Sequence, residues 1–317
     1  MSLEGVAGIV SDCRYPRVGV SIVAYRPQAQ ALCRLLAALV GQVGIVVLVD
    51  NGGAVAAVGD LLDNIVIVDP RGNIGVAAGH NLALLRIFGA GCSHALLFDQ
   101  DSLPQDDMIG ELLRIEQGLI KAGFVVGAIG PQLVAEGNGR LAGFVRFSGW
   151  RPQVSASADT NLPVPARHCD FLITSGMFLR RDVFERVGPF AESLFIDNVD
   201  VEWCYRAASL GYLCYGAVDA RMLHAIGDRS MPISFARERT LVIHNPLRIY
   251  FMTRNRLLLY RMPHVPAGWK VADFPRMVIK IVAFGLLVAP RLRYLRAALS
   301  GIVDGLKGQG GPARKPF

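Results

Sequence analysis

At 317 residues the chain is long enough to bury a full core, as one large domain or two smaller ones, and with 52% of its residues apolar, disorder is not its default state. Its six cysteines, Cys13, Cys33, Cys92, Cys169, Cys204 and Cys214, form no C-x-x-C pair, so neither a zinc site nor a disulfide framework is signalled, and reduced thiols are expected. The net charge of +7 is concentrated after residue 235, leaving a basic end to meet nucleic acid or an anionic membrane surface.

Residues 1–5 lack the basic stretch and apolar run that mark a secretory signal. Over the first 130 residues, β-rich apolar runs alternate with helical spacing, the signature of a parallel sheet covered by helices. Strands are predicted over 18–25, 44–50, 64–69, 94–99 and 124–130. Helices are predicted over 27–40, where Pro27 suits a first turn, and over 76–88. From 131 to 168 the sequence loosens into Gly-, Ser- and Pro-rich pieces, read as short strands and loops. Regularity returns with an apolar run over 170–179, helices over 181–187 and 199–209, and a short strand over 212–218. From 234 the chain reads as helical, with breaks at Pro246, Pro263, Pro266, Pro275 and Pro290, and 308–317 as a loose tail. The expected division is a catalytic α/β domain over 1–233 and a helical, basic and apolar region over 234–317.

In an open α/β sheet the ligand crevice lies outside the strand C-termini, and polar residues fall there: Tyr25, Asp50, Asn51, Asp69, Asp99, Gln100 and Asp101. The strand before Asp99 says most. It ends in two carboxylates one residue apart, and on extended backbone i and i+2 point the same way, so Asp99 and Asp101 can share a target. Paired hard oxygens suit Mg²⁺ or Mn²⁺, and such an ion on one or two carboxylates usually carries phosphates as well. An Asp-rich turn is the plain alternative. The loop and helix start over 73–81 hold Asn73, Gly75 and Asn81, where backbone amides would approach an anionic or sugar group. Its glycines, Gly72, Gly75 and Gly79, lack dinucleotide-fingerprint spacing.

A second acidic cluster holds Asp197, Asp200 and Glu202, followed by Arg206. On a helix Glu202 and Arg206 form an i, i+4 pair. Asp197 and Asp200, near the helix start, are held ionised by its dipole, the state a general base needs. His224 is a candidate third metal ligand, imidazole suiting Mn²⁺, against the alternative of a structural histidine. Further on, residues 277–289 form an apolar run interrupted by Lys280, about 13 residues and short of the roughly 20 that span a bilayer. These apolar neighbours turn the basic end away from nucleic acid and toward a membrane-contact helix, with a helix packed on its own domain or on a second copy as the alternative.

The ordered segments Val-Ser-Ile-Val-Ala-Tyr-Arg-Pro (20–27), Val-Asp-Asn-Gly-Gly (49–53), Gly-Asn-Ile-Gly-Val-Ala-Ala-Gly-His-Asn (72–81), Phe-Asp-Gln-Asp-Ser (98–102) and Phe-Ile-Asp-Asn-Val-Asp-Val-Glu-Trp-Cys-Tyr-Arg (195–206) together resemble a family 2 glycosyltransferase, in particular the bacterial rhamnosyltransferases. The resemblance covers roughly residues 17 to 260. It implies a GT-A fold, with a mostly parallel sheet flanked by helices. It further implies an inverting mechanism and transfer of L-rhamnose from dTDP-L-rhamnose to a saccharide or lipid-linked saccharide in cell-surface polysaccharide synthesis.

By the same resemblance, Tyr25, Asp50 and Asn51 would touch base and ribose, Asn73, Gly75 and Asn81 would face the donor, and Gln100 and Arg206 join the donor set. Asp99 and Asp101, with His224, would hold Mg²⁺ or Mn²⁺, and Asp200, six residues before Arg206, would be the base. Many relatives carry Glu-Asp there, whereas Val199 precedes Asp200, so Asp197 stays a rival. A peripheral protein on the cytoplasmic face of the inner membrane is expected, with homo-oligomerisation open and no nucleic-acid partner. The alternatives are a UDP-hexose donor, a non-catalytic membrane-recruited nucleotide-sugar-binding module, and nucleotidyl transfer. The last calls for a Gly-rich basic loop after the first strand, where the chain has only Tyr25, Arg26 and Pro27.

Overall fold

The computed structural model describes residues 12–58, 65–105, 107–137, 139–224, 230–232, 240–242, 244–314 and 317, with 224, 230–232 and 240–242 described at the backbone. The first half runs β1 (Tyr15–Tyr25), α1 (Ala29–Leu39), β2 (Val43–Gly52), α2 (Ala54–Val58), β3 (Ile65–Val68), α3 (Gly75–Gly89), β4 (His94–Asp99), β5 (Ser102–Pro104), α4 (Met108–Lys121) and β6 (Val126–Ala135). It continues through β7 (Phe144–Ser148), β8 (Arg151–Ser155), β9 (Ala166–Cys169), β10 (Phe178–Arg180), α5 (Arg181–Val187), a 3₁₀ turn (Glu192–Leu194), α6 (Val199–Ser209) and β11 (Leu213–His224). A short pair, β12 (Ser230–Pro232) and β13 (Thr240–Val242), precedes α7 (Pro246–Arg261), α8 (Ala267–Leu287) and α9 (Arg291–Leu306).

Among the described residues nine strands form one mixed sheet in the order β3-β2-β1-β4-β10-β6-β11-β5, with β9 on β11. The β3-β2-β1-β4 block is parallel, as is β6 with β11; β10 lies antiparallel between β4 and β6. Alternation along each strand divides the core. Val18, Val20 and Ile22 of β1, Val46 and Leu48 of β2, and Leu96 and Phe98 of β4 face α1 and α4, whereas Ile45, Val47, Val49, Ala95 and Leu97 face α3, α5 and α6, as a period of two requires. Leu258 and Leu259 of α7, with Val265 and Trp269, join that second face, each large side chain contributing roughly 1.5–3 kcal/mol of burial.

Several features depart from the sequence expectation: the described residues of the 308–317 tail are not loose, with Phe317 stacked on Tyr250 and Gly311 N donating to Ser193 O, and β11 runs on to His224. Helix α4 was not expected: it begins after Asp107, left-handed at φ 61° and making no side-chain cap bond, so the usual start signal is missing although Ile109, Leu112, Ile115 and Leu119 carry helical spacing. Pro275 does not break the chain but lies inside α8. Its lost hydrogen bond frees the carbonyl four residues back at Val271, and both positions are exposed, so water can satisfy it. Of the apolar run over 170–179 only the end is strand, because Gly176 turns at φ +85°. By contrast Pro246 opens α7 where expected, with Asn245 Oδ1 accepting from Arg248 N at 2.8 Å, a capped, proline-led start.

Candidate active site

The parallel topology brings the C-terminal ends of β2, β1 and β4 side by side, and the predicted polar residues meet there. Tyr25 is paired with Gly52, and its amide donates to Gln100 Oε1 at 2.8 Å, tying the Asp99–Asp101 turn to β1. The turn is braced from beneath by Ser175, whose Oγ accepts from the Asp99 amide at 3.2 Å and lies 2.6 Å from Ser102 Oγ. Asp99 is pushed up to about 6 by burial, with Asp101 and Asp197 adding repulsion and Arg248 opposing.

Asp50 and Asn51 shape the neighbouring loop. Asp50 accepts from the amides of Gly52 and Ala54 at 2.8 Å and of Val55 at 3.0 Å. Burial works against its charge, but these amides outweigh it and lower the carboxyl below its ordinary value. Asn51 donates to Gly75 O and accepts from Ile74 N, while Asn73 Oδ1 accepts from Gly75 N. The amides of Val76 and Ala77 at the start of α3 donate to Phe195 O at 2.7 and 3.3 Å. Gly75 has φ +85°, and a Cβ there would lie 2.6 Å from Phe195 O; only glycine permits this approach. The loop thus grips the 195–198 segment instead of presenting those two amides to solvent.

That segment is left-handed at Phe195, Asp197 and Asn198, with φ of 64°, 64° and 62°, a strained run of non-glycine residues. It delivers two carboxylates into the crevice. Asp200, in the first turn of α6, is pushed up to about 6 by burial; the Val201 amide opposes the shift, Asp99 and Asp197 add to it, and the Thr174 amide opposes it. Asp197 is likewise raised by burial, against the attraction of Arg248, Lys280 and Arg256. Its Oδ1 receives Arg248 Nε at 3.1 Å, and its Oδ2 is buried with no partner among the described residues.

Two predicted residues serve the scaffold. Asn81 holds Phe190 through both amide ends, Nδ2 to Phe190 O at 2.9 Å and Phe190 N to Oδ1 at 2.8 Å, and also reaches Glu192. Arg206 grips Glu202 with two nitrogens and caps Val187 O and Pro189 O. Strand register sets His224 opposite Ser102, beside Asp101, but its side chain lies outside the described residues. Sequence reasoning missed Ser175, Arg248 and the pair Arg254 and Asn255. Asn255 Nδ2 donates to the carbonyls of Leu194, Ile196 and Asp197 at 2.9, 2.6 and 2.8 Å, and Arg254 to those of Ser193 and Leu194. Both are fully buried, and a fully buried Arg-Asn pair was the one signal, invisible before burial was known.

No family model matches the chain. It is 29% identical over 303 residues to the dTDP-rhamnosyl transferase RfbF of Shigella flexneri, covering 92% of this chain and 96% of that protein. Among solved structures, GalNAc-T7 with UDP, GalNAc and Mn²⁺ aligns with a TM-score of 0.57 at 9% identity over 94% of this chain and 57% of that one, so the likeness spans little more than half of it. S. aureus TarS 1-349 in complex with UDP-GlcNAc aligns with a TM-score of 0.53 at 13% identity over 92% of this chain and 81% of that one. The mixed sheet, with carboxylates gathered at its parallel strand ends, has the GT-A fold, and the chain is a glycosyltransferase. Its ordered motifs resemble family 2 glycosyltransferases, and the relative it matches over 92% of its length is a dTDP-rhamnosyl transferase.

Proposed function

We propose that the chain transfers L-rhamnose from dTDP-L-rhamnose, with inversion, to a hydroxyl of a saccharide or lipid-linked saccharide. The observation that carries this reading is the meeting at the strand ends of three half-buried carboxylates, Asp99, Asp197 and Asp200, close enough to repel one another. The donor sugar rests on the likeness to the Shigella flexneri relative. Asp200 takes the proton of the acceptor hydroxyl as that oxygen bonds to the anomeric carbon. The bond from that carbon to the diphosphate breaks on the opposite face, and dTDP leaves with its electron pair. A single displacement inverts the configuration.

A divalent ion fits this site: neighbouring carboxylates raise the pKa of Asp99 and Asp200, and the buried Asp197 Oδ2 lacks a partner among the described residues. Among the described residues no group of three His, Cys, Asp or Glu side chains could hold a metal, so Asp99 and Asp101 would hold Mg²⁺ or Mn²⁺ with the donor's phosphates completing the shell. Bound there, the ion supplies charge neutralisation for the leaving diphosphate. A lipid-linked acceptor would place the enzyme at the membrane's cytoplasmic face.

Isothermal titration and turnover with dTDP-rhamnose, UDP-glucose, UDP-galactose and GDP-mannose, each with Mg²⁺, Mn²⁺ or EDTA, test this. The expected outcome is metal-dependent binding and turnover of dTDP-rhamnose; preference for another donor, or full activity in EDTA, overturns the corresponding part.

A further inference from the structure

Helix α8 buries Trp269, Ala272, Asp273, Met277, Phe284 and Gly285 and turns the rest of its apolar surface outward. Val271, Phe274, Val278, Val282 and Leu286 recur at spacings of three and four, so they lie along one side of the helix. Ile279 beside them is 67% exposed. The stripe continues across the turn at Ala289 and Pro290 to Leu292, 81% exposed. Such a continuous apolar face is more than scattered surface leucines and marks an interaction surface. Among the described residues no helix is long and apolar enough to cross a membrane.

The charge around this face says what it meets. Arg291, Arg293 and Arg296 are exposed on α9, which follows it, and no Asp or Glu occurs between residues 274 and 303. Arg291 and Arg293 lie in the first turn of α9, which holds no acidic residue. Cations there oppose the helix dipole, and no described carboxylate is paired with Arg291, Arg293 or Arg296, so α9 itself gains nothing from them. A two-fold contact between copies through this face would crowd arginines together with no carboxylate in the stretch to answer them. An anionic lipid surface answers both features, taking apolar side chains at its acyl boundary and guanidinium groups at its phosphates.

We propose that the outer face of α8 and the start of α9 dock this protein on an anionic lipid bilayer. This rests on the reading of an enzyme that works at a membrane and names the surface it uses. On the opposite, buried side of these helices Phe284, Val288 and Tyr294 pack on Ile249 of α7, the residue after Arg248, which holds Asp197.

The test is flotation of the full chain with phosphatidylglycerol-containing vesicles and with pure phosphatidylcholine vesicles, at low and high salt, beside sedimentation and dTDP-rhamnose hydrolysis in solution. Binding should favour anionic vesicles and weaken with salt. Each of Arg291→Gln, Arg293→Gln and Arg296→Gln should reduce it roughly fivefold, with solution hydrolysis unchanged. Phe274→Ser with Ile279→Ser should reduce it on both vesicle types. Absence of vesicle binding, binding indifferent to lipid charge and salt, or a dimer that the serine variant dissociates each overturns the proposal. Loss of hydrolysis by the wild-type chain with vesicle binding intact would count against the transferase reading and leave the surface standing.

Discussion

Asp200 and Asp197 compete for one role. A base acts in the transition state, so Asp200→Asn should lower kcat by about 10²-fold or more while changing donor affinity little. Asp197 is already engaged by Arg248, and Asp197→Asn should act mainly through binding and stability; the reverse pattern in steady-state kinetics would reassign the base. The same carboxylates make the metal-free chain sensitive to pH. Asp99 and Asp200 are raised to about 6 from an ordinary value near 3.8, with Asp101, Asp197 and the Thr174 and Val201 amides around them and Arg248 and Lys280 facing from α7 and α8. A raised carboxyl contributes stability that is fully present below about 4 and lost as pH rises through about 6. Melting in EDTA should therefore shift upward on going from pH 7 to pH 5. Asp200→Asn should flatten that rise and stabilise the chain at pH 7 by about 1–2 kcal/mol, a gain in stability beside a loss of activity.

Helix α7 makes its contribution through backbone carbonyls. The strained segment 195–198 is held by one Asn255 amide shared among three of them. Asn255→Ala removes the side-chain donor from the Ile196 and Asp197 carbonyls, while Leu194 O keeps Arg254, at roughly 1–3 kcal/mol for the group, so both melting temperature and kcat should fall; Asn255→Asp, which repels the same carbonyls, should be worse. A variant that melts normally and turns over normally would show that Arg248, Arg254 and the α3 loop hold the segment without Asn255. The sequence reveals some of this architecture and hides the rest for a physical reason. Helices α5 and α6 lie at 181–187 and 199–209 as expected, because the local spacing of their apolar residues decides them, although neither has a side-chain cap. The Asp99–Asp101 turn is equally legible, since a carboxylate pair after an apolar strand is a local pattern. The grip of Asn255 on residues about 60 positions away is not, because tertiary contact alone gives that side chain its partners. Likewise β10, three residues long, acquires strand form only from the edges of β4 and β6.

For the whole molecule, the last helices are tied into the sheet core. Leu258, Leu259, Val265 and Trp269 fill the face also packed by α3, α5 and α6, and α9 lies close on α7, where a Cβ at Gly301 would sit 2.6 Å from Tyr250 O. Ending the chain before Pro246 should expose that face and yield aggregated or molten protein, read by near-ultraviolet circular dichroism and dye binding; a soluble, donor-binding fragment would show that the sheet stands without them.

The antiparallel strand β10 also bears on how the chain is made. As synthesis proceeds, β1 to β4 can assemble by adjacent parallel pairing, but the far edge of β4 is completed only when Phe178–Arg180 emerges, and β6 must wait for the same three residues or for β11. Through that interval the nascent protein presents Ala95 and Leu96, apolar and normally buried, along an open strand edge to any neighbouring chain. Ribosome-bound intermediates between about residues 130 and 180 should accordingly be the ones that chaperones capture.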